Sequence, residues 1–167
     1  AYEIWLKHNY FKEYMTALML NTGSNEKKHG MENVLAEYTS YSKKRGVKVL
    51  SPNINAPKAD FYLDADGFIN FGLEHVKQVA SAAEQIVRIT ATQPFTSMAD
   101  FYERCVYESE VASGKNAGKK RVTKPTKAVV ENLIYAGAFD RMGTRRDMLK
   151  EYYLARKKKE IAPCPDD

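Results

Sequence analysis

Apolar residues along this chain recur mostly at helical spacing, with one interruption where they alternate instead. Tyr14, Met15, Leu18 and Met19 fall at i, i+1, i+4 and i+5, a stripe along one side of a helix. With Ile4, Leu6, Tyr10 and Phe11 ahead of them, residues 2–21 read as two short helices. Asn21-Thr22-Gly23-Ser24-Asn25 reads as a turn. A third helix is predicted over 31–45, where Val34, Leu35, Tyr38 and Tyr41 share a face. Lys43, Lys44 and Arg45 suit the negative end of its dipole, and Gly46 suits the position that closes it. Val47 to Leu50 alternates weakly, as a short strand does. Phe61-Tyr62-Leu63 and Phe68-Ile69-Asn70-Phe71 flank Asp64-Ala65-Asp66-Gly67, the pattern of a β-hairpin with an Asp/Gly turn.

Beyond Gly72 the helical pattern returns. Leu73 to Gln78 reads as a short helix and Ser81 to about Thr90 as another. Ser97-Met98-Ala99-Asp100 has capping-box form ahead of a helix near 98–107. Residues 108–122 are polar and contain Gly114 and Gly118, so a flexible loop is predicted there. Thr126 is placed to cap a helix over 127–135, and Thr144-Arg145-Arg146-Asp147 has capping-box form at the start of a helix from 145 to about 158. Residues 161–167 read as a disordered tail. The expected fold class is mainly α with one small β-hairpin.

Charge changes this picture more than overall composition does. Residues 115–159 hold fourteen Lys or Arg against four Asp or Glu, a local net of +10, whereas the whole chain carries +5, so the remainder sums to −5. A concentrated basic third points to a polyanion partner. Cys105 and Cys164 stand far apart, giving neither a disulfide framework nor zinc spacing, which fits a reducing cytoplasm. No run of 18 apolar residues is present, so no membrane span is expected. The beginning, Ala1-Tyr2-Glu3-Ile4-Trp5, has neither an initiator Met nor the layout of a signal peptide, and reads as the inside of a longer chain.

The candidate chemistry centres on the stretch from Leu133 to Leu149. It reads as the end of an apolar helix, a tight turn at Gly137 and the start of another element. Small residues (Ala136, Gly137, Ala138) permit close backbone approach, and glycine permits φ > 0. Exposed N–H groups beside a helix N-terminus favour an anion. With Arg141, Arg145 and Arg146 nearby, phosphate is the candidate ligand. The residues assigned to it are Gly137, Ala138, Phe139, Arg141, Thr144, Arg145 and Arg146. The acid-free run Lys119, Lys120, Arg121, Lys124, together with Lys127, extends the basic surface.

The order of the motifs resembles the catalytic alpha subunit of bacterial replicative DNA polymerase III, a family C polymerase. Trp5 to Leu18 is similar to a motif near the end of that family's fingers. Lys44 to Asn55, Ala59-Asp60-Phe61, Ile69 to Lys77, Pro94 to Phe101 and Leu133 to Gly143 resemble later motifs in the same order. The resemblance implies a fragment spanning the fingers end (1–72) and a tandem helix-hairpin-helix DNA-binding module (73–160). The first hairpin would fall at Gln78-Val79-Ala80-Ser81, with Val79 and Ser81 against DNA, and the second at Ala136 to Phe139. The family's Gly-Val-Gly at hairpin one is Gln78-Val79-Ala80 here, and its usual proline after Tyr10 is Phe11. Such drift suits a phage-borne polymerase, placing the chain in a bacterial cell or a phage-infected host. The implied partners are duplex DNA, with a single-stranded template as the variant reading, and the remainder of the polymerase chain; a sliding clamp would be reached only through regions beyond this fragment.

Three readings of function compete. The first is phosphate-mediated binding of duplex DNA in support of synthesis by the parent enzyme. The second is a nucleotidyltransferase or nuclease, which needs clustered carboxylates; only Asp64 and Asp66 offer them, in a place where Asp and Gly are ordinary turn residues. The third is a scaffold whose basic surface binds another replication protein. His8, His29 and His75 lack ligand spacing. The expectation is therefore no catalytic residue, no metal site and no cofactor in this fragment, Mg²⁺ being implied only for the parent polymerase. The Tyr and Phe residues, eighteen together, read as core packing rather than as a stacking platform for single strands.

Overall fold

The computed structural model describes residues 1–25, 32–110 and 120–160. Three helices lead: α1 (Tyr2–Asn9), α2 (Phe11–Asn25) and α3 (Glu32–Lys44). The predicted turn at 21–25 is instead the last turn of α2. Packing overrides the turn propensity there. Thr22 is buried, and its hydroxyl donates to the Leu18 carbonyl at 2.8 Å, so the polar side chain is satisfied within the helix. α3 closes as its sequence predicts. Gly46 takes φ +78, its N–H donates to the Lys43 carbonyl (3.1 Å), and the Val47 N–H donates to that of Ser42 (2.9 Å).

The predicted hairpin is part of a larger unit. β1 (Val49–Leu50), β2 (Tyr62–Leu63) and β3 (Ile69–Asn70) form a mixed sheet in the order β1-β3-β2. β2 and β3 are antiparallel, whereas β1 runs parallel to β3 with Val49 opposite Ile69. Residues 51–68, with β2 among them, supply the long connection that a parallel pair requires. Met15 and Met19 of α2, Leu35 of α3, Val47, Phe61 and Ile69 make a first core under this sheet.

The rest of the chain builds a second core. A 3₁₀ turn (Leu73–His75), shorter than the predicted helix, leads to α4 (Ala80–Thr92) and α5 (Met98–Arg104). Ser97 caps α5, its hydroxyl accepting from the Asp100 N–H at 3.1 Å. The ends of the predicted loop are strands: β4 (Tyr107–Glu110) and β5 (Lys120–Thr123) pair antiparallel, with Glu110 opposite Lys120. The middle of that loop and the predicted tail lie outside the described residues. Then come α6 (Lys127–Ala136), capped by Thr126, and α7 (Arg145–Glu160). Leu73, Ile86, Met98, Phe101, Val130, Leu133, Ile134, Phe139 and Tyr152 are buried together here. Ile54 and Ala56 join this second core while Phe61 and Ile69 belong to the first, so residues 54–69 thread through both.

Candidate nucleic-acid interface

α6, the turn at 137–143 and α7 form the second hairpin. Val129, Val130, Leu133 and Ile134 bury one face of α6. Gly137 ends the helix in the left-handed region, φ 88 and ψ 19. Its N–H donates to the Ile134 carbonyl (3.0 Å), and the Ala138 N–H donates to that of Leu133 (2.9 Å). The Asp140 N–H donates to Gly137, and those of Met142 and Gly143 to Phe139. These amides are spent inside the turn, which is how a helix C-terminus satisfies its last carbonyls. Ala138 and Phe139 are each 1% exposed. The Phe139 ring lies edge-on to Phe101, and the Ala138 carbonyl accepts from the Ile54 N–H at 2.9 Å. The aliphatic part of this hairpin thus faces inward, and what it offers outward is charge.

Arg141, Thr144, Arg145 and Arg146 are all exposed. Thr144 caps α7: its hydroxyl accepts from the Asp147 N–H (3.2 Å) and donates to the Asp147 carboxylate (2.6 Å). Arg145 is clamped by Asp140, Nε to Oδ1 at 3.1 Å and Nη2 to Oδ2 at 3.0 Å. That pairing, hydrogen bond first and charge second, raises the guanidinium pKa above its ordinary value. The clamp lies directly over Gly137. A Cβ added there would sit 2.6 Å from Asp140 Oδ2 and 2.9 Å from Arg145 Nη2. Arg141 reaches towards the sheet, where its charge acts on Tyr62 and Asp64.

The other basic residues do not converge on this point. Lys127 begins α6, about 15 Å along the helix from Gly137. Its Nζ stands 3.7 Å from Glu131 Oε1 and 5.5 Å from the centre of the Tyr153 ring, and the Glu131 charge, then Tyr153, raises its pKa. Lys124 donates to the Tyr102 carbonyl and stands 4.1 Å from that ring's centre. Lys120 and Arg121 lie in β5, and Lys119 is outside the described residues.

The first hairpin turns at Gln78, which adopts φ 64, the left-handed conformation that glycine normally supplies. Val79 is fully buried and Ser81 exposed on the first turn of α4. Asn132, in the middle of α6, ties the two hairpins together: its Nδ2 donates to the Lys77 carbonyl (3.0 Å) and to Gln78 Oε1 (3.2 Å). A cleft of about 840 Å³ opens beside this hairpin, with Lys43, Glu74, Lys77 and Gln78 in its lining. Asp140, Asn132 and Gln78 were not among the expected site residues. A polar Asn within the apolar face-pattern of α6 was the one sequence signal available.

Carboxylates are placed for structure. Asp64 accepts from the Phe68 N–H and from Asn70 Nδ2, both at 2.9 Å, and these bonds, that of Phe68 foremost, lower its pKa. Its oxygens organise the turn. Among the described residues Asp60, Glu74 and His75 are the one group of three or more His, Cys, Asp or Glu side chains with ligand atoms within 4.8 Å of one another. His75 Nε2 is 2.7 Å from Asp60 Oδ1, which also accepts from the Phe61 N–H at 2.7 Å, and the imidazole stacks on Phe61. This histidine is engaged in packing the sheet against the 3₁₀ turn.

Residues 46–149 match the helix-hairpin-helix motif family, which includes both hairpins. DNA polymerase III subunit alpha of Saccharopolyspora erythraea is 33% identical over 153 residues, 90% of this chain and 11% of that protein. The subunit of the same name from Deinococcus radiodurans is 30% identical over 150 residues (87% and 9%), and that of Escherichia coli 27% over 146 residues (87% and 11%). The chain spans about a tenth of the length of these curated relatives. Among the described residues no helix is long and apolar enough to cross a membrane. With its matched region covering the sheet, both hairpins and the start of α7, the chain belongs to the helix-hairpin-helix motif family, and nine-tenths of it is similar to one segment of DNA polymerase III subunit alpha.

Proposed function

We propose that the chain holds duplex DNA through its phosphates, without reading sequence, as part of a polymerase of the DNA polymerase III alpha kind. The observation that supports this most is the set of three exposed guanidinium groups, Arg141, Arg145 and Arg146, at the second hairpin. The turn beneath them is closed by its own hydrogen bonds. Asp140 takes two of the five N–H donors of Arg145 and leaves the others for an incoming oxygen. Contacts to phosphate fix position along a duplex and carry no sequence information, which is what a polymerase that copies any template needs. On this reading the parent enzyme works in the cytoplasm, and its catalytic carboxylates with their Mg²⁺ lie in other parts of that enzyme.

The test is Arg145→Ala combined with Arg146→Ala. Binding measured by fluorescence anisotropy falls about equally for unrelated duplexes, and the log–log salt slope becomes shallower by about 0.9 for each phosphate contact removed. Unchanged affinity of the double variant at low salt rejects the second hairpin as the grip.

A further inference from the structure

We propose that Asp60, Glu74 and His75 form a site for a divalent transition-metal ion of the zinc class, one that clips the sheet to the turn ahead of the first hairpin. Asp60 comes from the connection just before β2, and Glu74 and His75 from the 3₁₀ turn. Two backbone features hold these segments together. The Glu74 N–H donates to the Ala59 carbonyl at 3.2 Å. Gly72 lets the chains touch, since a Cβ there would lie 2.8 Å from the Asp60 backbone. Each of the three side chains thereby brings a ligand atom to within 4.8 Å of the other two. Ligands held about 2.1 Å from a common ion stand about 3 to 3.5 Å apart, so small side-chain rotations are enough to converge them. Two of the three are already oriented. The imidazole stacks on the Phe61 ring, centroids 4.7 Å and planes 25° apart, with its side chain only 8% exposed. Asp60 Oδ1 is fixed by the Phe61 N–H at 2.7 Å.

Charge indicates what the site takes. Asp60 is matched by His75, Oδ1 to Nε2 at 2.7 Å. Among the described residues the Glu74 carboxylate makes no hydrogen bond or ion pair, although a second carboxylate stands beside it. Lys43 and Lys77 line the same cleft as Glu74 and His75, and neither pairs with Glu74 among the described residues. Two carboxylates and an imidazole are a donor set that a divalent cation neutralises. The nitrogen decides the class: Mg²⁺ and Ca²⁺ take oxygen ligands, whereas imidazole with carboxylates suits Zn²⁺ or Mn²⁺. The cleft of about 840 Å³ gives an ion a way in and leaves room for water at its remaining positions. On binding, the proton of the hydrogen bond between Nε2 and Oδ1 passes to solvent. Phe61, next to Asp60, belongs to the first core and Leu73, next to Glu74, to the second, so a bound ion ties the two cores together. The site is separate from the Arg141/Arg145/Arg146 group and does not depend on the proposed grip.

The experiment titrates the whole chain, free of purification tags, with Zn²⁺ by calorimetry and follows thermal unfolding with and without the metal. A single ion is expected to bind, raising Tm by about 5 °C when its free concentration is about a hundred times Kd. Glu74→Gln removes a carboxylate that has no protein partner to lose. It weakens Zn²⁺ binding about tenfold or more and abolishes the rise in Tm, while the metal-free Tm stays as it was. Asp60→Asn is the second variant and weakens binding likewise. Co²⁺ in place of Zn²⁺ shows visible bands without the sulfur-to-metal charge transfer that Cys105 or Cys164 would give. Arg145→Ala with Arg146→Ala leaves Zn²⁺ binding unchanged, so the metal site and the duplex grip are read separately. The proposal is overturned if Zn²⁺ does not bind, if both carboxylate variants keep full affinity, if Cys164→Ser removes binding, or if Mg²⁺ at equal concentration displaces Zn²⁺.

Discussion

The two hairpins solve one backbone problem with different residues. Each reverses the chain through a left-handed residue, Gly137 at φ 88 and Gln78 at φ 64. At Gly137 the missing side chain makes room for the Asp140–Arg145 clamp, which occupies the space a Cβ would fill. At Gln78 the side chain is present, and its amide oxygen accepts from Asn132 of the other hairpin. The second hairpin carries three exposed arginines, whereas the first has Lys77 and Glu74 both in the lining of an open cleft. Turn geometry and ligand chemistry are therefore separable. A left-handed residue sets the reversal, and the charges placed around it decide what the reversal can meet.

The largest expected effect comes from taking the glycine away. Gly137→Ala forces a Cβ into the left-handed region and against the clamp, and costs about 2 kcal/mol in denaturant unfolding. A loss below about 0.5 kcal/mol would mean that the second turn needs glycine no more than the first, and the contrast would fail. Next is Asp140→Asn, which releases Arg145 from its carboxylate. Duplex affinity then rises about threefold in an anisotropy titration, because a competing anion has gone. Weaker binding instead would show that Asp140 aims Arg145 rather than competing for it. The smallest effect is Gln78→Gly. Relief of the left-handed side chain, offset by the entropy of glycine and the lost bond to Asn132, leaves a gain of about 0.5 kcal/mol in thermal or chemical unfolding, with duplex affinity unchanged. A large gain in affinity would restore the first hairpin as an equal grip.

Local signals carried far in this chain. The caps at Ser97, Thr126 and Thr144 and the closing glycines at Gly46 and Gly137 stand where their side-chain chemistry predicts. Where the sequence reading went astray, a distant partner decided the outcome. α2 continues through Gly23 because its Met15 and Met19 face is held against α3 and the sheet. β4 and β5 are polar, so no hydrophobic alternation marks them, and only their pairing makes them strands. At the candidate interface the arginine cluster was legible as charge. The Asp140 clamp, the engagement of the Ala138 N–H by Leu133 and the left-handed Gln78 were not, because each depends on which groups the turn brings together.

The closed hydrogen bonding of the 137–143 turn bears on kinetics as well as on shape. A loop whose amides waited for an anion would have to be ordered at the moment of contact, and that lost entropy would weaken binding and slow the encounter. Here Leu133, Ile134, Gly137 and Phe139 supply the acceptors beforehand. On the proposed reading an approaching polyanion then has only the side-chain rotations of Arg141 and Arg146 left to arrest, because Asp140 already holds Arg145.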